Sequence, residues 1–168
     1  MKIIKVYTRL LLFVGGALIG VQVPSFVDQY GQRLEAHFLE SKTGLNEFQK
    51  DADKFFKGDI SKLVQHYKNN TDPVFNDGGQ SIETLLTRQQ LLSNAVIAFN
   101  KKFYSPYLHT LSSPIVEIRN ETWNSYDYSI KLNASSIAWA LASGLIIAIF
   151  IDLFLALLGS MFLSLIHI

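Results

Sequence analysis

The run from Ile137 to Phe162 constrains this chain more than any other feature, because it is apolar almost throughout and holds a single charge, Asp152. A stretch of that length meets the requirement of about 20 apolar residues for a helix crossing a bilayer. In lipid, only helices and closed barrels satisfy every backbone polar group. A second run, Leu10 to Val27, is interrupted by Gln22, Pro24 and Ser25 and preceded by Lys2, Lys5 and Arg9. At about 1.5 Å per residue it rises roughly 27 Å, close to the hydrocarbon thickness. A cleaved signal peptide shares the basic start and short apolar run. Here, however, Pro24 sits where cleavage would fall, no small-x-small site follows, and a helical pattern continues directly onward.

These runs predict an all-α membrane protein: two antiparallel transmembrane helices with a helical extramembrane domain between them. The expected boundaries are 1–9 for a cytoplasmic N-terminus, 10–27 for the first span, 28–134 for a periplasmic helical domain and 135–162 for the second span. Orientation follows from the basic residues before the first span, which favour the cytoplasmic side. Tyr7 at one boundary, with Phe26, Tyr30, Tyr126, Tyr128 and Trp139 at the other, suits interfacial aromatic belts. Residues 163–168, Leu-Ser-Leu-Ile-His-Ile, resemble a translated sequencing adapter, so they are expected to be foreign to the protein and His167 is given no role.

Of 15 basic and 14 acidic residues, only Lys2, Lys5, Arg9 and Asp152 lie outside the middle, where the two signs are interspersed. That leaves no basic field for nucleic acid. The absence of cysteine removes disulfides, thiolate nucleophiles and cysteine metal sites together.

Helices in lipid associate through close contact of small residues and through polar contacts, because lipid tails are as apolar as leucine. Gly16 and Gly20 supply a small pair on the first span, and Ala140, Gly144, Ala148, Asp152, Ala156 and Ser160 recur every four residues on the second. Antiparallel placement brings Gly15 or Gly16 to about the depth of Asp152, with Arg9 roughly one and a half turns nearer the cytoplasm. An ionised carboxylate facing lipid costs a few kcal/mol, so Asp152 is expected to pair with Arg9. The competing reading makes Asp152 the centre of an oligomeric ion- or proton-responsive element.

In the middle, Leu34, Phe38, Ser41, Leu45, Phe48, Ala52 and Phe55 follow a heptad seam that ends before Gly58. The spacing predicts one long amphipathic helix, with a bend at Gly31 or Gly44. Asp59 can cap a short helix bearing Ile60, Leu63, Val64 and Tyr67. A loop is expected over Asn69–Gln80, where Asp72-Pro73 and Asp77-Gly78-Gly79 carry turn chemistry. Ser81 then caps a helix striped by Ile82, Leu85, Leu86, Gln89, Leu92, Val96, Phe99 and Phe103, ended by Pro106. Ser113-Pro114 opens a last short helix through Trp123. Tyr126 to Leu132 alternates like an extended segment, and Asn133 or Ser135 caps the second span.

No catalytic site is legible, and no enzyme activity or cofactor is expected. His37, His66 and His109 lack zinc-site spacing, and Asp51, Asp53, Asp72 and Asp77 lack that of a calcium loop, reading as solvated loop acids. Gly78-Gly79 is followed by no Lys-Thr pair, and no serine lies in a nucleophile elbow. The best candidate interaction site is a polar collar where the first span leaves the membrane. There Pro24 frees a backbone carbonyl, and Gln22, Asp28, Gln29 and Arg33 gather beside it.

The segment Gly15 to Leu34, with its Gln-Val-Pro-Ser-Phe-Val-Asp-Gln-Tyr core at 22–30, resembles a family of two-pass bacterial inner-membrane proteins catalogued as a domain of unknown function. The likeness continues through Asp53-Lys54-Phe55-Phe56, His66-Tyr67, Asp72-Pro73-Val74-Phe75 and Glu121-Thr122-Trp123. The resemblance implies a Gram-negative inner membrane and an uncleaved first helix; it supplies no catalytic residues. Sequence therefore predicts an anchored structural or partner-binding component of the envelope, whose partners are the lipid bilayer and either other envelope proteins or further copies of itself.

Overall fold

A computed structural model describes residues 2–130 and 133–166, all of whose regular elements are helices: α1 (Lys2–Gly20), α2 (Gln22–Phe56), α3 (Ile60–Lys68), α4 (Pro73–Phe99), α5 (Ser105–Ser112), α6 (Val116–Asn124) and α7 (Ala134–Ile166). His167 and Ile168, at the end of the expected adapter segment, lie outside the described residues, as do Lys131 and Leu132. The chain forms two compact units, one of Met1–Asp28 with Tyr126–Ile168 and one of Gln29–Ser125. Among the described residues, two stretches are long and apolar enough to cross a membrane, within Val6–Phe56 and Ala134–Phe154.

The first unit is an antiparallel hairpin of α1 and α7, in which Arg9 meets Asp152, Phe13 meets Gly144, and Gly20 meets Trp139 and Ser143. Val21 donates its N–H to Ala17 O at 3.0 Å, and the helix then breaks. The cause is Pro24, which has no N–H for the Gly20 carbonyl; the proline sits instead in the first turn of α2, where amide protons need no intrahelical partner. Asn133 caps α7, its Oδ1 accepting from Ser136 N at 2.8 Å. In the described part of the segment before it, the expected extended conformation is interrupted at 127–129. Tyr128 has φ 54°, and Asp127 Oδ1 accepts from Ser129 N in a local turn.

The second unit has two apolar clusters strung along α2. Tyr30 and Leu34 pack with Leu92, Ala95 and Ile118, so α2, α4 and α6 share one core. Leu45 packs with Val64 and Ile82, joining α2 to α3 and α4. The heptad seam holds through Ala52, but Phe55 turns outward at 65% exposure. Helix α2 runs unbroken through Gly31 and Gly44. A Cβ on Gly31 would lie 2.7 Å from Phe99 Cζ, so that glycine makes room for a ring. Tyr30 belongs to this core and to no interfacial belt.

Three helix boundaries differ from expectation. The predicted loop over Asn69–Gln80 is mostly helix: Asp72 caps α4 by accepting from Val74 N at 2.9 Å, and Pro73 occupies the first turn, where it is at home. Gly79 serves close approach, since a Cβ there would meet Lys68 N at 2.8 Å and Tyr67 Cβ at 2.9 Å. Pro106 does not end α4, which stops at Phe99; it opens α5. Asp51 and Asp53 lie in α2 and Asp77 in α4, none of them in a loop. Finally, α6 begins at Val116 rather than at Pro114, with no side-chain cap.

Candidate functional site

The residues singled out on the hairpin and in the collar can be placed, except that the side chain of Ser160 lies outside the described residues. On the hairpin, Gly16, Gly20 and Gly144 are buried where the helices touch, Ala148 is buried beside them, and Ala140 is half-buried. A Cβ on Gly16 would lie 3.2 Å from Gly144 Cα, one on Gly20 2.8 Å from Trp139 O, and one on Gly144 2.9 Å from Phe13 O. The backbones thus approach as only glycine permits. Ser143, which the four-residue stripe did not contain, offers its hydroxyl to Gly16 O at 2.9 Å, shared with its own helix at Trp139 O and Ala140 O.

Arg9 and Asp152 form an ion pair at 2.9 Å, with both side chains about half exposed. The protein does not bury the charges; the sheltering environment is the bilayer, and each is the other's partner within it. This pairing accounts for an acid in the span, and nothing among the described residues points to an ion path.

The polar collar is divided between the two units. In the first, Tyr126 Oη donates to Gln22 Oε1 at 2.6 Å, Pro24 is buried, and Ser25 Oγ donates to Ser129 O at 2.7 Å. These contacts fasten the start of α2 to the segment preceding α7. Asp28, the last collar residue of this unit, is exposed, whereas Gln29 is half-buried in the second. Arg33 donates to Ser125 Oγ and lies 3.6 Å from Glu121, whose carboxylate also meets His37 Nε2 at 2.7 Å. The collar residues with polar contacts in view therefore direct them inward.

Elsewhere in the second unit, Arg88 grips Glu117 through two bonds of 3.0 and 3.3 Å, which hold the Glu117 carboxyl below its ordinary range. The Tyr30 hydroxyl accepts from Ile115 N at 3.0 Å, and burial raises its phenol above the ordinary range. His109 stands against the rings of Tyr30 and Phe99, and burial lowers it below 6.5. Among the described residues no three His, Cys, Asp or Glu side chains gather as a metal site.

A groove of about 400 Å³ opens at the C-terminal end of α2, lined by Asp51, Phe55, Phe56, Leu63, His66, Tyr67, Asn70 and Phe75. Its size falls at the lower end of the range for ligand pockets. Phe56 pairs with His66 at 5.5 Å and Tyr67 with Phe75 at 5.7 Å, and Lys54 Nζ lies 4.8 Å from the Phe55 ring. Asp51 is the lining carboxylate. Sequence reasoning missed this groove, although Phe55, Phe56, His66, Tyr67 and Phe75 all belong to segments that carried the family resemblance. A neighbouring hollow of about 280 Å³ is bordered by Lys68 and Glu83, which neutralise each other at 2.9 Å.

No curated protein and no solved structure matches the chain. The sequence profile of a family described as "Protein of unknown function (DUF2937)" matches residues 4–164, nearly the whole length of the hairpin and the helical domain together, and the chain belongs to that family.

Proposed function

We propose that this protein is a non-catalytic, membrane-anchored binding component of the bacterial envelope, whose helical domain engages a protein partner through the aromatic groove of α2, α3 and α4. The observation that carries the reading is the groove itself. It gathers Phe55, Phe56, Tyr67 and Phe75 from three segments, and Phe55 and Phe75 remain exposed although apolar side chains of that size usually define a core or an interface. Aromatic side chains are enriched at the anchoring points of protein interfaces. The glycine-faced hairpin supplies the anchor. In the proposed topology the N-terminus is cytoplasmic and the domain periplasmic, as the basic residues before the first span favour.

A photo-cross-linking residue placed at Phe55 or Phe75 in native membranes tests the reading, with Leu91, exposed on α4, as the control position. The expected result is one discrete adduct from both groove positions and none from Leu91. An adduct of twice the chain mass would identify the partner as a second copy. Equal adducts at all three positions, or none, would refute groove-directed binding. Orientation is checked with a single cysteine at Asn69 and an impermeant thiol reagent, since the chain has no other cysteine. Labelling only after cell lysis would overturn the periplasmic placement.

A further inference from the structure

Helix α5 is built inside out. Its polar Thr110 is buried, with Oγ1 bonded to Pro106 O at 2.8 Å, and His109 packs against Tyr30 and Phe99. The apolar positions point the other way: Tyr104, Leu108 and Leu111 are 40%, 56% and 73% exposed. They follow an i, i+4, i+7 spacing, which places them on one helical face. Tyr104 is in register with the helix, because its carbonyl accepts from Leu108 N at 3.2 Å. Phe103 precedes them at 89% exposure, its ring edge-on to Tyr104 at 5.1 Å. A phenylalanine so exposed is a protruding tip rather than one wall of a hollow, and neither groove described above includes any residue of α5.

The Lys, Arg, Asp and Glu charges in this stretch of sequence have one sign. Lys101 and Lys102 adjoin Phe103, and Lys102 Nζ lies 5.6 Å from the Tyr104 ring centroid. No Asp or Glu occurs in the sequence between Glu83 and Glu117. A short helix with protruding aromatic and leucine side chains, flanked by lysines, matches the surface of a bilayer containing anionic lipid. Apolar residues enter the headgroup boundary, and lysine stems lie along it with their ammonium groups among the phosphates. A chain with two spans always has such a surface beside it. A rigid protein partner would more naturally present a groove to be filled than receive an exposed ridge.

We infer that the Phe103–Leu111 ridge, formed by α5 and the turn before it, is a membrane-surface contact, inserting Phe103, Leu108 and Leu111 into the interfacial region of an anionic leaflet with Lys101 and Lys102 at the phosphates. It is independent of what the aromatic groove binds.

Because the chain has no cysteine, Phe103→Cys and Leu111→Cys can each be labelled singly with an environment-sensitive fluorophore in the full-length protein. Val74→Cys, on the exposed first turn of α4, is the control. The proteins are reconstituted into vesicles of phosphatidylethanolamine and phosphatidylglycerol. Labels at 103 and 111 are expected to shift to the blue, to be quenched several-fold more by acyl-chain spin-labelled lipid than the label at 74, and to resist aqueous iodide. Combining Lys101→Glu and Lys102→Glu should reduce the lipid quenching, as should replacing phosphatidylglycerol with phosphatidylcholine. Labels at 103 and 111 as open to iodide as that at 74 would overturn the inference. So would labels shielded from both quenchers, which would place a protein on the ridge instead.

Discussion

Replacing Tyr30 with phenylalanine removes the hydroxyl at the centre of the helical domain, which meets Ile115 N at 3.0 Å and His109 Nδ1 at 3.5 Å. Tyr30 is fully buried, and its ring contacts Phe99 and His109 at centroid distances of 5.9 and 5.8 Å, so a phenylalanine ring keeps the packing. Only the oxygen is lost, and with it the acceptor for Ile115 N and a longer, weaker contact with His109 Nδ1. No side chain caps α6, so that amide has no evident substitute. An orphaned buried donor costs about 1–3 kcal/mol. Ile115 is only half-buried, and water can partly repay the loss, which points to the lower half, about 1–2 kcal/mol. For a domain of roughly a hundred residues, each kcal/mol lowers Tm by about 4–8 °C, so Tyr30→Phe should melt about 5–15 °C earlier. Near-UV circular dichroism of the full chain in micelles reads the melt, and hydrogen exchange at Ile115 reads the bond. An unchanged Tm, or a lower one with undiminished Ile115 protection, would refute the reasoning.

The same neighbourhood sets a pH dependence. Burial lowers His109 below its unfolded 6.5, so the unfolded chain binds the extra proton, and denaturant midpoints should fall as pH drops below about 6.5; His109→Gln should flatten that slope. Gly79→Ala should cost about 1–3 kcal/mol, because its Cβ meets the Lys68 backbone, whereas Gly44→Ala, in open space within α2, should stabilise by about 0.4–1 kcal/mol; chemical denaturation of the domain separates the two. Removing one charge of the Arg9–Asp152 pair leaves the other alone in lipid. Asp152→Asn or Arg9→Gln should each reduce the level of protein in the membrane more than the double substitution does, and a double variant no better than the worse single would show the charges to be uncoupled.

The features legible in the sequence rest on periodicity and local chemistry. Leu34 through Ala52 alternate at four and three, so their burial follows from helix geometry alone. Asp59 caps α3 as its position before Ile60 requires. The Arg9–Asp152 pairing follows from the cost of a lone charge in lipid, but the register does not: antiparallel arithmetic puts Gly15 or Gly16 at the depth of Asp152, whereas Gly16 meets Gly144 and Arg9 itself reaches Asp152. The start of α4 was not legible, because glycine serves two purposes that look alike in a sequence. Gly78-Gly79 reads as a turn, yet Gly79 stays helical and admits the backbone of α3. Proline misled in the same way at Pro106, which begins a helix as readily as it ends one. The aromatic groove draws on α2, α3 and α4 together, and no local pattern announces that Phe55 faces it rather than the seam.

The glycine contacts of the hairpin restrict what it can transmit. Gly16, Gly20 and Gly144 each lie against backbone atoms or the stems of opposing side chains, at spacings that admit no Cβ. Sliding α1 along α7 by one residue would carry Ile19 or Val21 into the place of Gly20, and a compatible register recurs only after about a full turn, roughly 5.4 Å. Piston displacements of an ångström or two thus meet a steep wall in both directions. Motion of the helical domain would have to be absorbed outside this interface, with α1 and α7 holding as a fixed mooring rather than serving as a signalling rod.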